Sequence, residues 1–344
     1  MSGQLVNFSR HPFAARGAEA HPHIPEGSSQ LERICSRLRE VTNIDFSHYK
    51  HATFARRIER RMNISQVQDI QEYIQCLTQS SREAEALGKD LLIGVTKFFR
   101  DAESFRVLTD CIRQRFDQTP DGQTLRVWSA ACSTGEEAYT LAMLCEEIRA
   151  AYRPRVEFNV FATDIDKSAL EIASAGIYPR SVVADLPREL LDRYFLQDGA
   201  ENFRVIRSLR DRLIFAKQDL LSDPPFTKID LICCRNLMIY LRPEAQRKLL
   251  SLFHFSLTPG GLLFLGSSET LGDLSYAFET IDSKHRIHSK AAGVALRVSD
   301  AIHTLDEGSL WTSFVDDHGT RTRGRRSATN SSEAIQQHLL KRFA

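Results

Sequence analysis

The sequence predicts a small all-helical domain followed by an α/β domain built on a mostly parallel sheet. Three observations carry this. Apolar residues recur at three- and four-residue steps from Leu31 to about Asp90, with no strand signal. From Leu125 onward, short apolar runs alternate with helical patterns, the rhythm of βαβ units. That rhythm is interrupted once, between Pro179 and Arg212, by an insertion with its own antiparallel character.

Residues 1–28 carry Pro, Gly, Ser and His without periodicity and read as a disordered leader. The helical domain, 29–92, is set by Ile34, Leu38 and Val41, then Phe54, Ile58 and Met62, then Ile70, Tyr73, Ile74 and Leu77. The α/β domain spans 93–290. Its first strand is Leu125–Ala130, and Thr134–Ile148 forms a helix with Glu136 and Glu137 in its first turn. Val160–Thr163 is the second strand, ending on Asp164, and Lys167–Ala175 is the helix behind it. Within the insertion, 179–212, the Phe203–Ile206 alternation and the Asp198–Gly199 turn signal predict a small β-subdomain. Leu213–Ala216, Ile229–Cys234 and Gly261–Leu265 are further strands, and Pro243–Leu257 is a helix with Pro in its first turn. Residues 291–344 read as a polar linker, with Arg321, Arg323, Arg325 and Arg326 clustered, and a last helix over Ser332–Phe343.

The chain has 344 residues, 45 Lys+Arg against 44 Asp+Glu, and a net charge of +1. That balance argues against a general nucleic-acid binder. No apolar run is long enough to cross a membrane, and the N-terminus lacks a signal-peptide pattern. Seven Cys at irregular spacing, without a CxxC, fit reduced thiols in a cytoplasmic protein. The 11 His show no metal-ligand spacing, so no metal is expected. One helix stands out. Lys50, Arg56, Arg57, Arg60 and Arg61 face only Glu59 in opposition. A solvated polar face explains most such runs. The functional alternative is a docking surface for an acidic partner.

Two constellations carry chemistry. In Trp128-Ser-Ala-Ala-Cys-Ser-Thr-Gly-Glu-Glu137 a strand enters a small-residue turn and then a helix, where backbone can approach a ligand. It is neither GxGxxG nor a phosphate loop, and its acids suit a cationic or hydroxyl-rich ligand. A plain structural turn is the other reading. In Val160-Phe-Ala-Thr-Asp-Ile-Asp166, Asp164 is placed to bind ribose hydroxyls. Asp166 reads better as a helix cap.

Taken in order, Thr96-Lys-Phe-Phe-Arg100, Trp128–Glu137, Phe161–Asp166, Ile229-Asp-Leu-Ile-Cys-Cys-Arg-Asn-Leu-Met-Ile-Tyr240 and Gly260-Gly-Leu-Leu-Phe-Leu-Gly-Ser-Ser-Glu269 closely resemble the chemotaxis receptor methyltransferases, the CheR family. The resemblance runs from about Leu31 to Lys290. It implies a class I, Rossmann-like S-adenosyl-methionine methyltransferase sheet with an inserted β-subdomain, behind a small helical domain. It implies methyl transfer from S-adenosyl-L-methionine to glutamate side chains of chemoreceptors, leaving S-adenosyl-L-homocysteine. Thr96 and Arg100 then approach the cofactor's methionine end and the active site. Glu137 and Asp164 become the cofactor-binding acids, Asp164 on the ribose. Asp219 and Leu220 stand where the family has an Asn-Leu pair beside the adenine. Arg235 and Asn236 match an active-site Arg-Asn pair, and Tyr240 matches the active-site tyrosine. Two departures stand out: Gly94 replaces an Asn ahead of Thr96, and Asp219 keeps an acceptor for the adenine amino group but loses the amide donor. The segments LLIGVTKFFRD and FLGSSETLG look most like the methyltransferase domains of multidomain relatives.

The residue types suit the reaction. A glutamate with a pKa of about 4.3 is already ionised at neutral pH, so methylation needs no general base. It needs a carboxylate oxygen held in line with the methyl group and poorly hydrated. Arg100, Arg235 and Tyr240 are the expected catalytic positioners. Donors that bind the carboxylate too well would blunt it, so Tyr is the better orienter and Arg the steerer. An ion pair between Arg100 and Asp101 or Glu103 is the structural alternative for Arg100. Lys50, Arg56, Arg57, Arg60 and Arg61 would dock the acidic cytoplasmic helices of chemoreceptors. Other chemosensory proteins are further expected partners, with no nucleic acid, no membrane insertion and a monomeric state. The competing readings are a same-fold methyltransferase on another substrate and a non-catalytic cofactor-binding scaffold.

Overall fold

The computed structural model describes residues 27–184, 186–294 and 296. The leader up to Glu26, the Arg321–Arg326 cluster and the Ser332–Phe343 helix lie outside them. The chain divides into two units, Met1–Ile93 and Gly94–Ala344.

Among its described residues the first unit has four helices, α1 (Ser29–Thr42), α2 (His51–Ile64), α3 (Ile70–Gln79) and α4 (Ser81–Leu91), with a 3-10 turn at Phe46–His48. Each buries one stripe at helical spacing: Leu31, Ile34 and Leu38; Phe54, Ile58 and Met62; Tyr73, Ile74 and Leu77; Ala84, Leu87 and Leu91. α1 and α3 are N-capped by Ser28 and Asp69, and Ser80 caps α4 by accepting from the Glu83 N–H at 3.2 Å. The basic helix is α2. Arg56 is exposed, Arg57 is half-buried, and Arg60 is an exposed side chain 3.9 Å from Asp90.

Arg61 corrects the expected docking set. Its Nε and Nη2 donate to the two Glu83 oxygens at 3.0 and 2.6 Å, and the Tyr73 hydroxyl donates to Glu83 at 2.9 Å. Both partners of the ion pair are largely buried, at 15 % and 14 % side-chain exposure. A guanidinium spent on a fork-to-carboxylate bond inside the bundle has little left for a partner.

In the second unit, helix α5 (Ala102–Gln118) precedes the sheet. The strands are β1 (Thr124–Ala130), β2 (Glu157–Asp164), β3 (Ile177–Pro179), β4 (Phe195–Asp198), β5 (Asn202–Val205), β6 (Leu213–Lys217), β7 (Ile229–Cys234), β8 (Leu257–Leu265), β9 (Phe278–Asp282) and β10 (Ile287–Lys290). The main helices between them are α6 (Glu136–Tyr152), α7 (Lys167–Ala175) and, before β8, a helix over Pro243–Ser256. The large sheet has seven strands in the order β6-β2-β1-β7-β8-β10-β9. β1 pairs in parallel with β2 and β7, β2 with β6, and β7 with β8; β10 runs antiparallel to both of its neighbours. Trp128 anchors β1, with its indole N–H on Thr163 Oγ1 at 2.9 Å and edge-on contacts to Phe226 and Phe253.

The inserted element is a three-stranded sheet, β3-β5-β4. It starts at Ile177, two residues before the expected boundary, because Gly176 in the left-handed region ends α7 there. Among the elements that the sequence did not announce are α5, β9, β10 and short helices at Arg180–Val183, Arg188–Tyr194 and Arg207–Arg210. α5 shows its apolar spacing (Phe105, Leu108, Cys111, Ile112, Phe116), whereas β9 and β10 are short, and the exposed residues of β9 blur its alternation.

Breaking the buried pair should be costly, because it leaves Glu83 short of its cation. Burial alone would raise the Glu83 carboxyl, but the bonds from Arg61 and Tyr73 outweigh it and hold it below the usual range. Its contribution is therefore complete above the ordinary carboxylate pKa and is lost as pH falls through the depressed value. Arg61→Gln should cost about 3 kcal/mol in urea unfolding near neutral pH, with the gap to the unmodified protein closing in acid. A variant equally stable at neutral pH would refute the assignment.

Candidate active site

β1 has β2 on one side and β7 on the other, and the chain leaves it in opposite directions to reach them. Such a switch point opens a crevice at the carboxyl ends of the strands, where ligands of open α/β sheets bind. Backbone strain concentrates there. Among the described residues, nine non-glycine positions have positive φ. Five of them, Phe99, Asp101, Ala131, Ser133 and Asn236, fall on three segments joined by the contacts below. Each costs of order 1–3 kcal/mol, and such outliers persist where surrounding contacts over-determine them.

The turn after β1 is held from β2. Cys132 N–H donates to the Thr163 carbonyl at 2.9 Å, and Ser133 N–H to Asp164 Oδ2 at 2.7 Å. Gly135 opens α6 at φ 92°, and a Cβ there would come within 2.8 Å of Ala173 Cβ. Asp164 is half-buried, and its Oδ1 accepts from Asp166 N–H at 2.9 Å. Desolvation raises its carboxyl above the usual range, against the pull of those N–H donors. Asp166 caps α7, accepting from Ser168 and Ala169 N–H, as its position suggested.

Arg235, at the end of β7, differs from its expected role. Its side chain is 1 % exposed. Nη2 donates to Asp101 Oδ2 at 2.6 Å, while Nη1 donates to the Arg100 carbonyl at 3.0 Å and to Glu137 Oε2 at 3.4 Å. The guanidinium also lies over the rings of Phe105 and Phe264, at 5.2 and 4.7 Å. So Arg235 is a buried tie between β7, α6 and the segment 99–101, rather than a cation turned toward a substrate. Burial raises the Glu137 carboxyl, and Arg235 and the Cys233 thiol pull it back. The same burial pushes the Cys132, Cys233 and Cys234 thiols far up, which disqualifies them as thiolate nucleophiles.

Arg100 has neither of its expected local partners. Asp101 is taken by Arg235 and Glu103 by Arg106, whereas Arg100 Nη1 donates to the Val95 carbonyl at 2.8 Å. Thr96 is half-buried on the same loop. Gly94 proves to be a fit: its carbonyl accepts from the Ser133 hydroxyl at 3.0 Å, and a Cβ there would sit 2.8 Å from that oxygen.

Asp219 is half-buried, and its oxygens accept from Leu221 N–H at 2.9 Å and Ser222 Oγ at 3.0 Å, so the carboxylate caps its own turn. Leu220 is half-buried on that turn. Asn236 is half-buried at φ 63°, and Tyr240 is half-buried at the end of a 3-10 turn, Met238–Tyr240. Sequence reasoning missed Asp101, Ser133 and Glu269. Two of them carried a signal: Ser133 stands inside the quoted Trp128–Glu137 motif, and Glu269 ends the quoted Gly260–Glu269 motif.

Fold and site together define a class I S-adenosyl-methionine-dependent methyltransferase: a seven-stranded sheet with one reversed strand, and acids at the switch point. The donor set fits that cofactor, since Asp164 and Glu137 offer anionic oxygens to hydroxyls and to positive charge, and the strained turn brings backbone close. Residues 94–287 match the family described as CheR methyltransferase, SAM binding domain, and residues 29–92 match CheR methyltransferase, all-alpha domain. The chain belongs to the CheR methyltransferase family. It is 43 % identical over 265 residues to an uncharacterized 104.1 kDa protein of Rhodobacter capsulatus, covering 76 % of this chain but only 28 % of that relative's length. It is 34 % identical over 260 residues to the chemotaxis protein methyltransferase of Salmonella typhimurium, covering 73 % of this chain and 86 % of that one. It is 31 % identical over 256 residues to chemotaxis protein methyltransferase 2 of Pseudomonas aeruginosa, covering 73 % and 90 %.

Two outcomes follow from the site. Arg235→Ala should cost about 3 kcal/mol of stability by stranding Glu137, measured by urea unfolding. A change within about 0.5 kcal/mol, typical of surface substitutions, would contradict the buried tie. Burial raises the Glu137 and Asp164 carboxyls above the ordinary range, and the test of a cofactor role for them is whether binding follows their anions. Affinity for S-adenosyl-L-homocysteine should therefore weaken as pH falls, starting above the pH where ordinary carboxylates protonate (about 4). Calorimetric titrations that stay flat from about pH 8 to about pH 4.5 would show that these acids do not bind the cofactor.

Proposed function

We propose that this protein methylates glutamate side chains on the cytoplasmic helices of chemoreceptors, in the cytoplasm and as a monomer. The products are a glutamate methyl ester and S-adenosyl-L-homocysteine. The cofactor supplies an electrophilic methyl group on a positively charged sulfur. A glutamate oxygen forms the new O–C bond as the S–C bond breaks, and the electron pair of that bond stays on sulfur. No proton moves, because the nucleophile is already a carboxylate.

The observation that carries this reading is the pairing of a family-defining fold with a site rich in acids and positioning groups. Burial pushes the Cys132 and Cys233 thiols far up, which disfavours a thiolate nucleophile there. Asp164 takes the ribose hydroxyls, and Glu137 and Asn236 complete the cofactor's polar contacts. Leu220 lies beside the adenine. Thr96 and Arg100 approach the methionine end, and Tyr240 orients the incoming carboxylate through its O–H. Arg100 is the steering cation. Arg235 is a positioning residue that acts through the Arg100 carbonyl and Glu137. The names of the Salmonella and Pseudomonas relatives support a place in chemotaxis.

Lys50, Arg56, Arg57 and Arg60 on and beside α2 form the docking surface for the acidic receptor helix, with other chemosensory proteins as further partners. Charge of this kind governs encounter rate more than resident affinity. With labelled S-adenosyl-L-methionine and receptor fragments, base-labile label should appear on receptor glutamates. Cofactor binding without any turnover would remove the reading. Arg57→Glu combined with Arg60→Glu should lower kcat/KM for receptor by about tenfold at low salt, with cofactor affinity unchanged. Parallel loss of both would count against docking at α2.

A further inference from the structure

Glu269 is 3 % exposed, carries a carboxylate, and is used by nothing in the reaction described above. Its carboxylate accepts from three backbone N–H groups. Oε2 accepts from Gly266 N–H at 2.6 Å and from Asn236 N–H at 3.0 Å, and Oε1 accepts from Met238 N–H at 2.8 Å. Asn236 and Met238 flank Leu237 on the turn that leaves β7 for Tyr240. Gly266 follows the last residue of β8. One side chain therefore links the ends of two neighbouring strands at the site.

The arrangement is tight. A Cβ on Gly266 would fall 2.8 Å from Glu269 Oε2, 3.0 Å from Asn236 N and 3.0 Å from Asn236 Nδ2, so only glycine fits beneath the clamp. Asn236 is held at φ 63°, a conformation that a free Asn leaves easily. The Met238 N–H sits at the start of the 3-10 turn that ends on Tyr240. Three N–H donors converging on one buried carboxylate make a strong, directional restraint.

We propose that Glu269 is a positioning residue for methyl transfer, fixing Tyr240 and Asn236 by holding the backbone between them. The proposal rests on the assignment of Tyr240 as the orienting donor. Glu269→Gln is nearly isosteric. Its amide oxygen can keep two of the N–H groups, but its amide nitrogen then faces the Met238 N–H as a second donor. The turn that carries Tyr240 loses its anchor while the fold keeps its packing.

The test is a double-mutant cycle on the full chain with Glu269→Gln and Tyr240→Phe. It reads kcat and KM on a receptor fragment, and counts active sites by S-adenosyl-L-homocysteine titration. The expected result is a fall in kcat per site of about tenfold to a hundredfold in each single variant, with receptor KM within about twofold. The double variant should be no slower than the worse single one, because both remove the same restraint. Losses that multiply, or an unchanged kcat per site in Glu269→Gln, would overturn the proposal. An unchanged kcat in Tyr240→Phe would instead remove the underlying role of Tyr240. Glu269→Asp, which keeps the charge but is one methylene short, serves if the amide variant does not fold. Failure of both to yield folded protein would assign Glu269 to the scaffold and overturn the proposal.

Discussion

A guanidinium with 1 % of its side chain exposed needs its charge balanced from within the fold. Arg235 meets that demand by drawing in partners from three places: Asp101 ahead of α5, the Arg100 carbonyl, and Glu137 in the first turn of α6. Two aromatic faces, Phe105 and Phe264, complete the enclosure. The left-handed backbone at Phe99 and Asp101 follows from this, since the chain must turn to present both a carbonyl and a carboxylate to one fork. The same contact opposes the rise that burial imposes on the Glu137 carboxyl. Remove the cation, and the loop bearing Thr96 and Arg100 loses its tether to the sheet.

The opposite charge is handled in a parallel way beyond the end of the neighbouring strand, β8. Glu269 is as deeply placed as Arg235 but has backbone N–H groups for partners. Between them the two buried ions fix both sides of the Arg235–Asn236 step, one through its side chain and the other through its backbone. A site made this way holds its strained residues by over-determination, and its geometry is set before any ligand arrives.

Much of this was legible in the sequence, for a physical reason. Residue types at strand ends are constrained by what they must present to a ligand, so Asp164, Glu137, Asn236 and Tyr240 stand out as motifs. Apolar spacing likewise announced the helical bundle and the parallel strands. What stayed hidden was the choice of partner. Arg61 and Arg57 are equivalent in a charge run, yet only Arg61 meets a carboxylate, Glu83, brought in from a different helix. Nothing in the run of residues around Asp219 shows that its carboxylate also caps its own turn. Asp101 has no signature, because its meaning depends on a guanidinium 134 residues away.

Arg235 also bears on the chemistry proposed for the site. A carboxylate nucleophile must be oriented, but a full bidentate fork would stabilise its charge and slow its attack. With both amino groups of Arg235 turned to Asp101, Glu137 and the Arg100 carbonyl, the strongest available fork is withheld from the substrate. That leaves Tyr240, a single neutral donor, to set direction. It also leaves Arg100, whose Nη1 is partly engaged by the Val95 carbonyl, to attract charge at longer range. A weak orienter and a distant cation hold a carboxylate in place without lowering its reactivity. The buried tie thus serves the reaction by what it denies to the nucleophile as much as by the loop it holds.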